Sequence, residues 1–299
     1  MFKFKSQQKV FEIGGVKVGG EPSRNPTVLI GSIFYHKQKL LIDERKGEFD
    51  KEEAERVIKL QEEFSDRTGN PCMLDVVGSS VDSIEKLLDF AAGATEVPLL
   101  IDGTTAEVRV AGLKYVEEVG LLERTIYNSL VPKYKPEETK TIKEVGIEAA
   151  ILLTFEMSEF TTKGRIKVAK SLLKLASELG IKKPLVDTCV LDIPTLGMAC
   201  RAMFKLKDEL GIPVGCSTHN AISTWKGLRK KMGNQAVKPA LASASAIGAA
   251  VGGDFILYGP IEAAPFVFPA VAMVNAAFGY HYIENKEMLD RKHPLFKIA

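Results

Sequence analysis

Eight short apolar runs alternate with helical patterns along almost the whole chain. Each run is apolar nearly throughout, as expected for parallel strands that are buried on both faces. The candidate strands are TVLIGSIF, CMLDVV, PLLID, RTIYN, AAILLTF, PLVD, PVGCS and FILYG. Eight strands, each followed by a helix over about 250 residues, predict an α/β fold of the (β/α)8 TIM barrel type. An open doubly wound sheet is the alternative, because strand number is easier to infer than closure.

Capping and stop residues predict helices between these strands. Asp50 and Glu53 form a start that resembles a capping box, and they predict a helix over 50–68. Gly180 and Gly211 stand where helices should stop, and each is followed within a few residues by a proline and a new strand. These start and stop signals are typical of repeated strand and helix units.

The first segment of the chain has a different pattern. VFEIGGVKVGG alternates apolar residues around Gly14 and Gly15, which predicts a β-hairpin that closes one end of the core. Neither GxGxxG nor GxxxxGK[ST] is present, so the glycines do not indicate a phosphate loop. No linker or shift in composition follows. We expect a single domain over 1–299, with 1–26 as the hairpin segment, and an extra helix over 237–251 in the seventh unit.

Charge and cysteine content narrow the class of protein. Forty Lys and Arg against 38 Asp and Glu give a net charge of +2, which argues against nucleic acid as a partner. The four cysteines show no CxxC spacing, so we expect a reducing, cytoplasmic location. The N-terminal residues contain no apolar run of signal-peptide length. The most apolar stretch, 263–279, contains Pro265, Pro269 and Asn275, and is interpreted as a buried helix and not a membrane span.

Polar residues stand at the ends of four predicted strands. Asp102 ends the third strand, Asn128 the fourth and Asp187 the sixth, and the seventh runs into Asn220. In a barrel, the C-terminal ends of the strands carry the working residues. Helix capping is the better explanation for any one of them alone, but four at one mouth favour a polar pocket. Carboxylates and amides together can bind a neutral heterocycle that has donors and acceptors along one edge.

Weaker candidates lie nearby. Ser32 and Tyr35 follow the first barrel strand and Glu262 follows the last, with packing at the core rim as the better explanation for Tyr35. Trp225 is the only tryptophan, and core packing is its default interpretation. The basic run 229–231 is most simply a solvated helix end that favours the macrodipole.

A metal site is an alternative use of the same mouth. Cys189, Cys216 and His219 could gather there, and thiolates with an imidazole can hold zinc. Cysteine near a buried strand end commonly serves as a small hydrophobic residue, however. We therefore expect no metal site.

Specific motifs support a family resemblance over nearly the whole chain. They are VGGEPxxxPTVLIGSIFY, KGEFDKEEA, TGNP, LLIDGTTAEVRVAGLKYVEEVG, YNS, PLVDT, PVGxxxHNxxS and GDFILYGPIEAAPFVFPAVAM. Together they resemble the H subunit of tetrahydromethanopterin S-methyltransferase and its bacterial relatives, the methyltetrahydrofolate:corrinoid protein methyltransferases. The resemblance implies the pterin-binding barrel of dihydropteroate synthase. The family's Asp, Asn, Asp and Asn after strands three, four, six and seven match Asp102, Asn128, Asp187 and Asn220.

The resemblance implies transfer of a methyl group between N5 of a reduced pterin and cobalt of a corrinoid. A tertiary amine is a poor leaving group, so N5 must be protonated or strongly hydrogen-bonded as the carbon–nitrogen bond breaks. Asn220 is the candidate for this contact. Asp102 and Asn128 are expected to hold the aminopyrimidinone edge. Asp187 either binds the ring or positions a water that relays the proton.

Cofactor and partner expectations follow from the same resemblance. The DxHxxG pattern of corrinoid carriers is absent, so a separate corrinoid-binding protein is the expected partner. The MFKFKSQQ start resembles the bacterial relatives, which favours tetrahydrofolate, with tetrahydromethanopterin as the alternative. A homodimer is expected from the family. Dihydropteroate synthase itself and a non-catalytic pterin-binding subunit are the rival functions.

Overall fold

The computed structural model describes residues 3–299, which contain two small antiparallel sheets, one barrel and a surrounding layer of helices. The strands are β1 (Val10–Ile13), β2 (Val16–Gly19), β3 (Val28–Ile33), β4 (Leu41–Asp43), β5 (Glu48–Phe49), β6 (Cys72–Gly78), β7 (Leu99–Gly103), β8 (Thr125–Leu130), β9 (Ala149–Leu153), β10 (Lys183–Asp187), β11 (Val214–Cys216) and β12 (Phe255–Pro260). The helices are α1 (Lys51–Thr68), α2 (Val81–Ala94), α3 (Ala106–Glu118), α4 (Pro136–Val145), α5 (Thr162–Glu178), α6 (Ile193–Leu210), α7 (His219–Ser223), α8 (Lys226–Met232), α9 (Val237–Ala250), α10 (Ala264–Glu284) and α11 (Pro294–Ile298).

Eight of the strands close into a parallel barrel. The order around it is β3, β6, β7, β8, β9, β10, β11 and β12, and β12 pairs with β3 to complete the ring. Closure confirms the predicted TIM barrel and excludes the open sheet. All eight apolar runs of the sequence supply one barrel strand each, and the hairpin predicted at the N-terminus forms β1 and β2.

The interior of the barrel follows from the two-residue period of its strands. One hydrophobic cluster fills the lower part of the barrel and contains Ile30, Met73, Leu100, Ile126 and Leu185, all fully buried or nearly so. Ile13 and Val18 of the hairpin join this cluster. The hairpin therefore closes the N-terminal end, as expected, and the opposite end stays open.

The helix signals act as the sequence indicates. The Asp50 side chain accepts a hydrogen bond from the Glu53 amide and begins α1. Gly211 ends α6 in the left-handed region with φ of 60°. A Cβ at this glycine would lie 2.0 Å from the Gln7 carbonyl oxygen, so the close approach of the N-terminal segment also requires glycine.

The seventh unit contains more helix than the sequence predicted. The extra helix predicted over 237–251 is α9, but two short helices, α7 and α8, precede it. These two lie above the open end of the barrel.

The most apolar helix packs along the outside of the barrel. Among the described residues, one helix, Ile261–Glu284, is long and apolar enough to span a bilayer, and 56% of its most apolar window is buried in the protein. α10 packs against α1, α9 and α11. Val267, Phe268 and Val271 are fully buried on that packed face, as expected for a helix of the core.

Candidate active site

A cavity of about 980 Å³ opens at the C-terminal ends of the barrel strands. All four polar residues predicted at the strand ends line it: Asp102, Asn128, Asp187 and Asn220. The structure therefore brings them together at one mouth, as the sequence predicts. Cavities of about 300–1,000 Å³ are typical of small-molecule sites, so this one has room for a large ligand.

The strand period explains why these side chains face inward. Asp102 stands two residues after the buried Leu100, and Asn128 two residues after Ile126. Asp187 follows Leu185 with the same spacing. Because successive side chains alternate between the two faces of a strand, each polar group sits one layer above the apolar interior. The apolar layer forms the floor under the polar ring.

Asp75 is a member of the site that the sequence prediction missed. It lies on β6, two residues after Met73, and its side chain lines the cavity. Its Oδ2 accepts from the Ser32 hydroxyl at 2.7 Å, and its Oδ1 accepts from the Asn128 amide nitrogen at 3.0 Å. Burial raises the pKa of Asp75 to about 6, while these two donors oppose the shift.

Of the three carboxylates that line the cavity, Asp102 has the fewest hydrogen-bond donors around it. Burial raises its pKa well above the ordinary value, and the neighbouring Asp75 adds to the shift. Arg109 and the Gly103 amide act in the opposite direction. Arg109 lies behind the strand end and donates to the Gly103 carbonyl at 2.9 Å. Asp102 thus presents acceptor oxygens to the cavity in a setting that favours any ligand with N–H donors.

Asp187 is held from both sides at the end of β10. Oδ1 accepts from the Cys189 amide at 2.7 Å, and Oδ2 accepts from the Ser217 hydroxyl at 2.8 Å. Burial raises its pKa to about 6, whereas these donors and the charge of Arg165 limit the increase. A carboxyl group with a pKa near 6 can take up or release a proton near neutral pH.

The two amides have fixed orientations. The Asn128 nitrogen donates to Asp75, so its oxygen remains available to accept. Asn220 lies in the first turn of α7, and its nitrogen donates to the Val190 carbonyl at 2.9 Å. Its oxygen makes no hydrogen bond to any residue within 3–299. Both side chains therefore keep an acceptor for a ligand in the cavity.

The weaker candidates divide between the cavity and its rim. Ser32 and Tyr35 line the cavity, and Ser32 acts through Asp75. The Tyr35 hydroxyl donates to Glu262 at 3.2 Å, and Gln38 donates to the same carboxylate at 2.9 Å. Glu262 serves as the acceptor of this rim cluster and does not line the cavity.

The cysteines and histidine considered for zinc do not converge. Cys189 and His219 line the cavity, but Cys216 packs in the hydrophobic layer outside the barrel. Burial raises the pKa of Cys189 to about 12 and lowers that of His219, so both side chains are neutral near pH 7. Within the described part of the chain, no group of three or more His, Cys, Asp or Glu has metal-binding geometry.

One wall of the cavity is formed by residues that the sequence did not predict as part of the site. Trp225 lies between α7 and α8, is half-buried and lines the cavity, so its assignment to the core was wrong. Lys226 and Arg229 of α8 line the same wall. No sequence pattern indicates this arrangement, because the path of the loop after β11 depends on tertiary packing.

Comparison with solved structures places the fold in a known class. The chain superposes on a dihydropteroate synthase from Yersinia pestis, solved in complex with a sulfonamide drug, with a TM-score of 0.63. The two sequences are 14% identical, and the match covers 91% of this chain and 100% of that chain. The chain therefore has the barrel fold of that dihydropteroate synthase.

Sequence comparison identifies the family within that class. Residues 6–288 match the family model described as tetrahydromethanopterin S-methyltransferase MtrH subunit, and the chain belongs to this family. The H subunit of tetrahydromethanopterin S-methyltransferase from Methanopyrus kandleri is 41% identical, with 90% of each chain covered. The corresponding protein of Methanothermobacter thermautotrophicus is 40% identical over the full length of both chains. The resemblance inferred from the motifs is confirmed, and the chain is a member of a methyltransferase family.

The names of these relatives bear on the cofactor. They refer to tetrahydromethanopterin, so they support the alternative considered from the sequence and give no support to the preferred tetrahydrofolate. The relatives are named as subunits, which fits a partner protein. The homodimer and the cytoplasmic location stay predictions.

Proposed function

We propose that the protein transfers a methyl group between N5 of a tetrahydropterin, of the tetrahydromethanopterin type, and the cobalt of a corrinoid held by a separate protein. The observation that carries this proposal is the ring of three carboxylates and two amides at the mouth of a barrel from this methyltransferase family. The members of the ring are Asp75, Asp102, Asn128, Asp187 and Asn220.

The ring suits the donor-rich edge of a pterin. The aminopyrimidinone edge presents an amino group and a ring N–H, which need acceptors in a buried site. Asp102 and the oxygen of Asn128 supply such acceptors on neighbouring strands, since the two residues pair in register on β7 and β8. Asp75 would act by fixing the Asn128 amide.

Asn220 is the residue that we assign to the contact with N5. Its nitrogen is engaged by Val190, so its oxygen is the atom left to accept from a protonated N5. A donor or acceptor that engages N5 most strongly as the carbon–nitrogen bond breaks lowers the barrier selectively. Asp187, with a pKa of about 6, is the group that would hold or pass the proton that N5 gains, directly or through water.

The corrinoid would reach the site from outside. When present, its cobalt supplies the nucleophile that accepts the methyl group or, in the reverse direction, the methyl donor. The mouth is open, and Phe155 and Leu191 present partly exposed apolar side chains at the cavity. An apolar rim of this kind suits the face of a large macrocycle, and an open mouth lets the metal approach N5 in line.

The rival functions make different demands. A synthase that expels diphosphate needs cations at the strand ends, but the lining groups there are carboxylates and amides. Lys226 and Arg229, the cavity's lining cations among residues 3–299, stand on the wall beyond the strand ends. A non-catalytic pterin-binding protein would need no group directed at N5, whereas Asn220 leaves an unused acceptor in the cavity.

The proposal is tested by mixing the purified protein with cob(I)alamin and a methylated pterin while following the cobalt absorption bands. We expect conversion to methylcobalamin with methyltetrahydromethanopterin and much slower conversion with methyltetrahydrofolate. Equal or faster transfer from the folate would reverse the choice of pterin. Tight binding of either pterin without transfer to cob(I)alamin or to a corrinoid protein would favour the non-catalytic role.

A further inference from the structure

The cavity has two poles of opposite charge. Asp75, Asp102 and Asp187 form its acidic pole at the strand ends, and Lys226 and Arg229 of α8 form its basic pole. Asp75 and Asp187 are buried and Asp102 is half-buried, whereas both cations are exposed at the mouth. A ligand that fits both poles must have a donor-rich head and an anionic end.

The two cations are on one face of α8. Positions three apart lie on the same side of a helix, so Lys226 and Arg229 point to the same region. Lys230 and Lys231 belong to the same helix but do not line the cavity. Two basic residues of α8 therefore line the cavity and two face solvent. A solvated helix end alone does not explain this division.

Both cations are free to bind a ligand. Neither side chain makes an ion pair or a hydrogen bond with another residue in the described range 3–299. The sequence from Leu210 to Gly253 contains no Asp or Glu at all, so no acidic side chain in this stretch can neutralise them. Surface lysines and arginines elsewhere are commonly paired, for example Arg56 with Glu53.

Trp225 adds an aromatic side chain to the cavity wall that carries the cations. It precedes Lys226 directly and, like both cations, lines the cavity. An aromatic side chain in such a position can pack against the planar linker of an elongated ligand. The cavity volume of about 980 Å³ also exceeds what a bicyclic ring alone requires.

We propose that Lys226 and Arg229 bind the anionic tail of the pterin substrate, its carboxylate or phosphate groups, while the carboxylates at the strand ends bind the pterin ring. This inference rests on the proposed function for the identity of the head group. Docking of an acidic protein is the competing use of the same cations. The tail is favoured because these two side chains line the cavity, whereas a protein-docking patch would also draw on Lys230 and Lys231.

Binding of two ligands tests the proposal. Tetrahydromethanopterin has the ring and the anionic tail, and 6-methyltetrahydropterin has the ring alone. Titration calorimetry, with quenching of the single tryptophan as a second readout, gives the dissociation constant of each ligand. The variants are Lys226→Ala with Arg229→Ala, and the matched control Lys230→Ala with Lys231→Ala.

We expect the first pair to reduce the preference for the tailed ligand about 3- to 30-fold, as two exposed charge contacts would. The control pair should keep the preference of the parent protein. High salt should reduce the preference in the parent and have little effect on it in the first pair. An unchanged preference in the first pair, or an equal loss in the control, would refute the proposal.

The two proposals fail differently. Transfer of methyl from the tailed pterin with no change of preference in the variants overturns the tail site and leaves the transferase intact. If the parent binds the pterin and the first pair loses the preference for the tailed ligand, but no methyl transfer occurs, the transferase proposal is overturned and the tail site is kept. An increase in KM for a corrinoid protein alone, with pterin affinities unchanged, assigns the cations to protein docking and overturns the tail site.

Discussion

The Asn128 amide nitrogen donates to Asp75 Oδ1 at 3.0 Å, across the strand that carries Asp102. An ionised carboxylate can only accept hydrogen bonds, so it selects the orientation in which the amide nitrogen faces Asp75. The Asn128 oxygen is then the atom presented to a ligand. Asp75 is therefore a positioning residue for the edge of the site that Asp102 and Asn128 form.

Replacing Asp75 with Asn should disturb this orientation. An amide at position 75 can pair with Asn128 in either of two arrangements, so the Asn128 oxygen is no longer fixed as the ligand acceptor. We expect pterin affinity to fall about 10-fold, in line with the loss of one well-oriented hydrogen bond in a buried site. Titration calorimetry with tetrahydromethanopterin measures the change.

Ser32→Ala is the matched control for this variant. It removes a donor from the same carboxylate, at Oδ2, but leaves the contact between Asp75 and Asn128 in place. Its affinity should fall less than about 3-fold, since the Asn128 orientation is kept. If Ser32→Ala weakens binding as much as Asp75→Asn, the effect comes from the charge of Asp75 and not from the orientation of Asn128.

The barrel and its mouth were predictable from the sequence because both depend on local periodicity. Apolar runs specify buried parallel strands, and a polar residue at the end of such a run must face the mouth or cap a helix. Asp75 was not predicted as a site residue because it stands inside the run CMLDVV and not at its end. Counting in steps of two from Met73 would have placed it one layer above the apolar floor.

The wall formed by α7 and α8 could not be predicted in the same way. Both helices are shorter than two turns, and so short a pattern does not distinguish a helix over the cavity from a solvent-exposed loop. The position of Trp225 depends on how this segment folds back over β10 and β11. That choice is made by contacts distant in sequence, such as the one between Asn220 and Val190.

Asn220→Ala should separate binding from catalysis. If the Asn220 oxygen accepts from the protonated N5, its loss slows methyl transfer about 10²–10³-fold and weakens pterin binding only modestly. Single-turnover reaction with cob(I)alamin gives the rate, and calorimetry gives the affinity. Ser223→Ala, which alters another residue lining the cavity on the same short helix, should keep the parent rate. Equal rates in Asn220→Ala and the parent would exclude Asn220 from the mechanism.

Pterin binding should weaken as the pH falls. The pKa of Asp102 in the free protein is well above its usual value because the group is buried near Asp75. N–H donors of the ring favour the ionised form, so binding lowers this pKa and releases a proton. Affinity is then greatest above the raised pKa and decreases as the pH drops through it, by at most about tenfold per pH unit.

Asp102→Asn isolates this effect from titration of the ligand. The variant should bind the pterin more weakly than the parent at pH values above the raised pKa, and its affinity should depend less on pH. Since the ligand titrates identically with both proteins, the difference between the two profiles reports on position 102. Parallel profiles for parent and variant would show that Asp102 is not the linked group.

The hairpin should contribute stability without affecting chemistry. Ile13 is 1% exposed and packs on the apolar layer beneath the polar ring. Ile13→Ala removes buried volume from this layer, and the expected loss is about 2–5 kcal/mol in the free energy of unfolding. Urea denaturation measures the loss, and the rate of methyl transfer by the folded variant should stay within about twofold of the parent. A large decrease in rate would mean that the hairpin also shapes the cavity.

Arg165 is a buried cation that supports Asp187 from outside the cavity. Its side chain is fully buried on α5, with its guanidinium 4.0 Å from the centre of the Phe160 ring. It donates to the Thr188 carbonyl at 2.8 Å and to the Cys189 carbonyl at 3.1 Å. The Cys189 amide in turn donates to Asp187. Arg165 therefore fixes the segment that holds Asp187 and lowers the pKa of Asp187 by its charge.

Arg165→Met should move the pH profile of methyl transfer. Without the positive charge, the pKa of Asp187 rises above about 6, so the fraction of ionised Asp187 falls at any given pH near neutrality. If Asp187 supplies the proton that N5 gains, its protonated form is the active one, so the alkaline limb of kcat shifts upward by about 0.5–1 pH unit. Arg165→Lys keeps the charge and should restore the limb, although both variants lose stability from the altered hydrogen bonds. A profile that stays in place in Arg165→Met, or one that shifts equally in both variants, would mean that Arg165 acts only through folding.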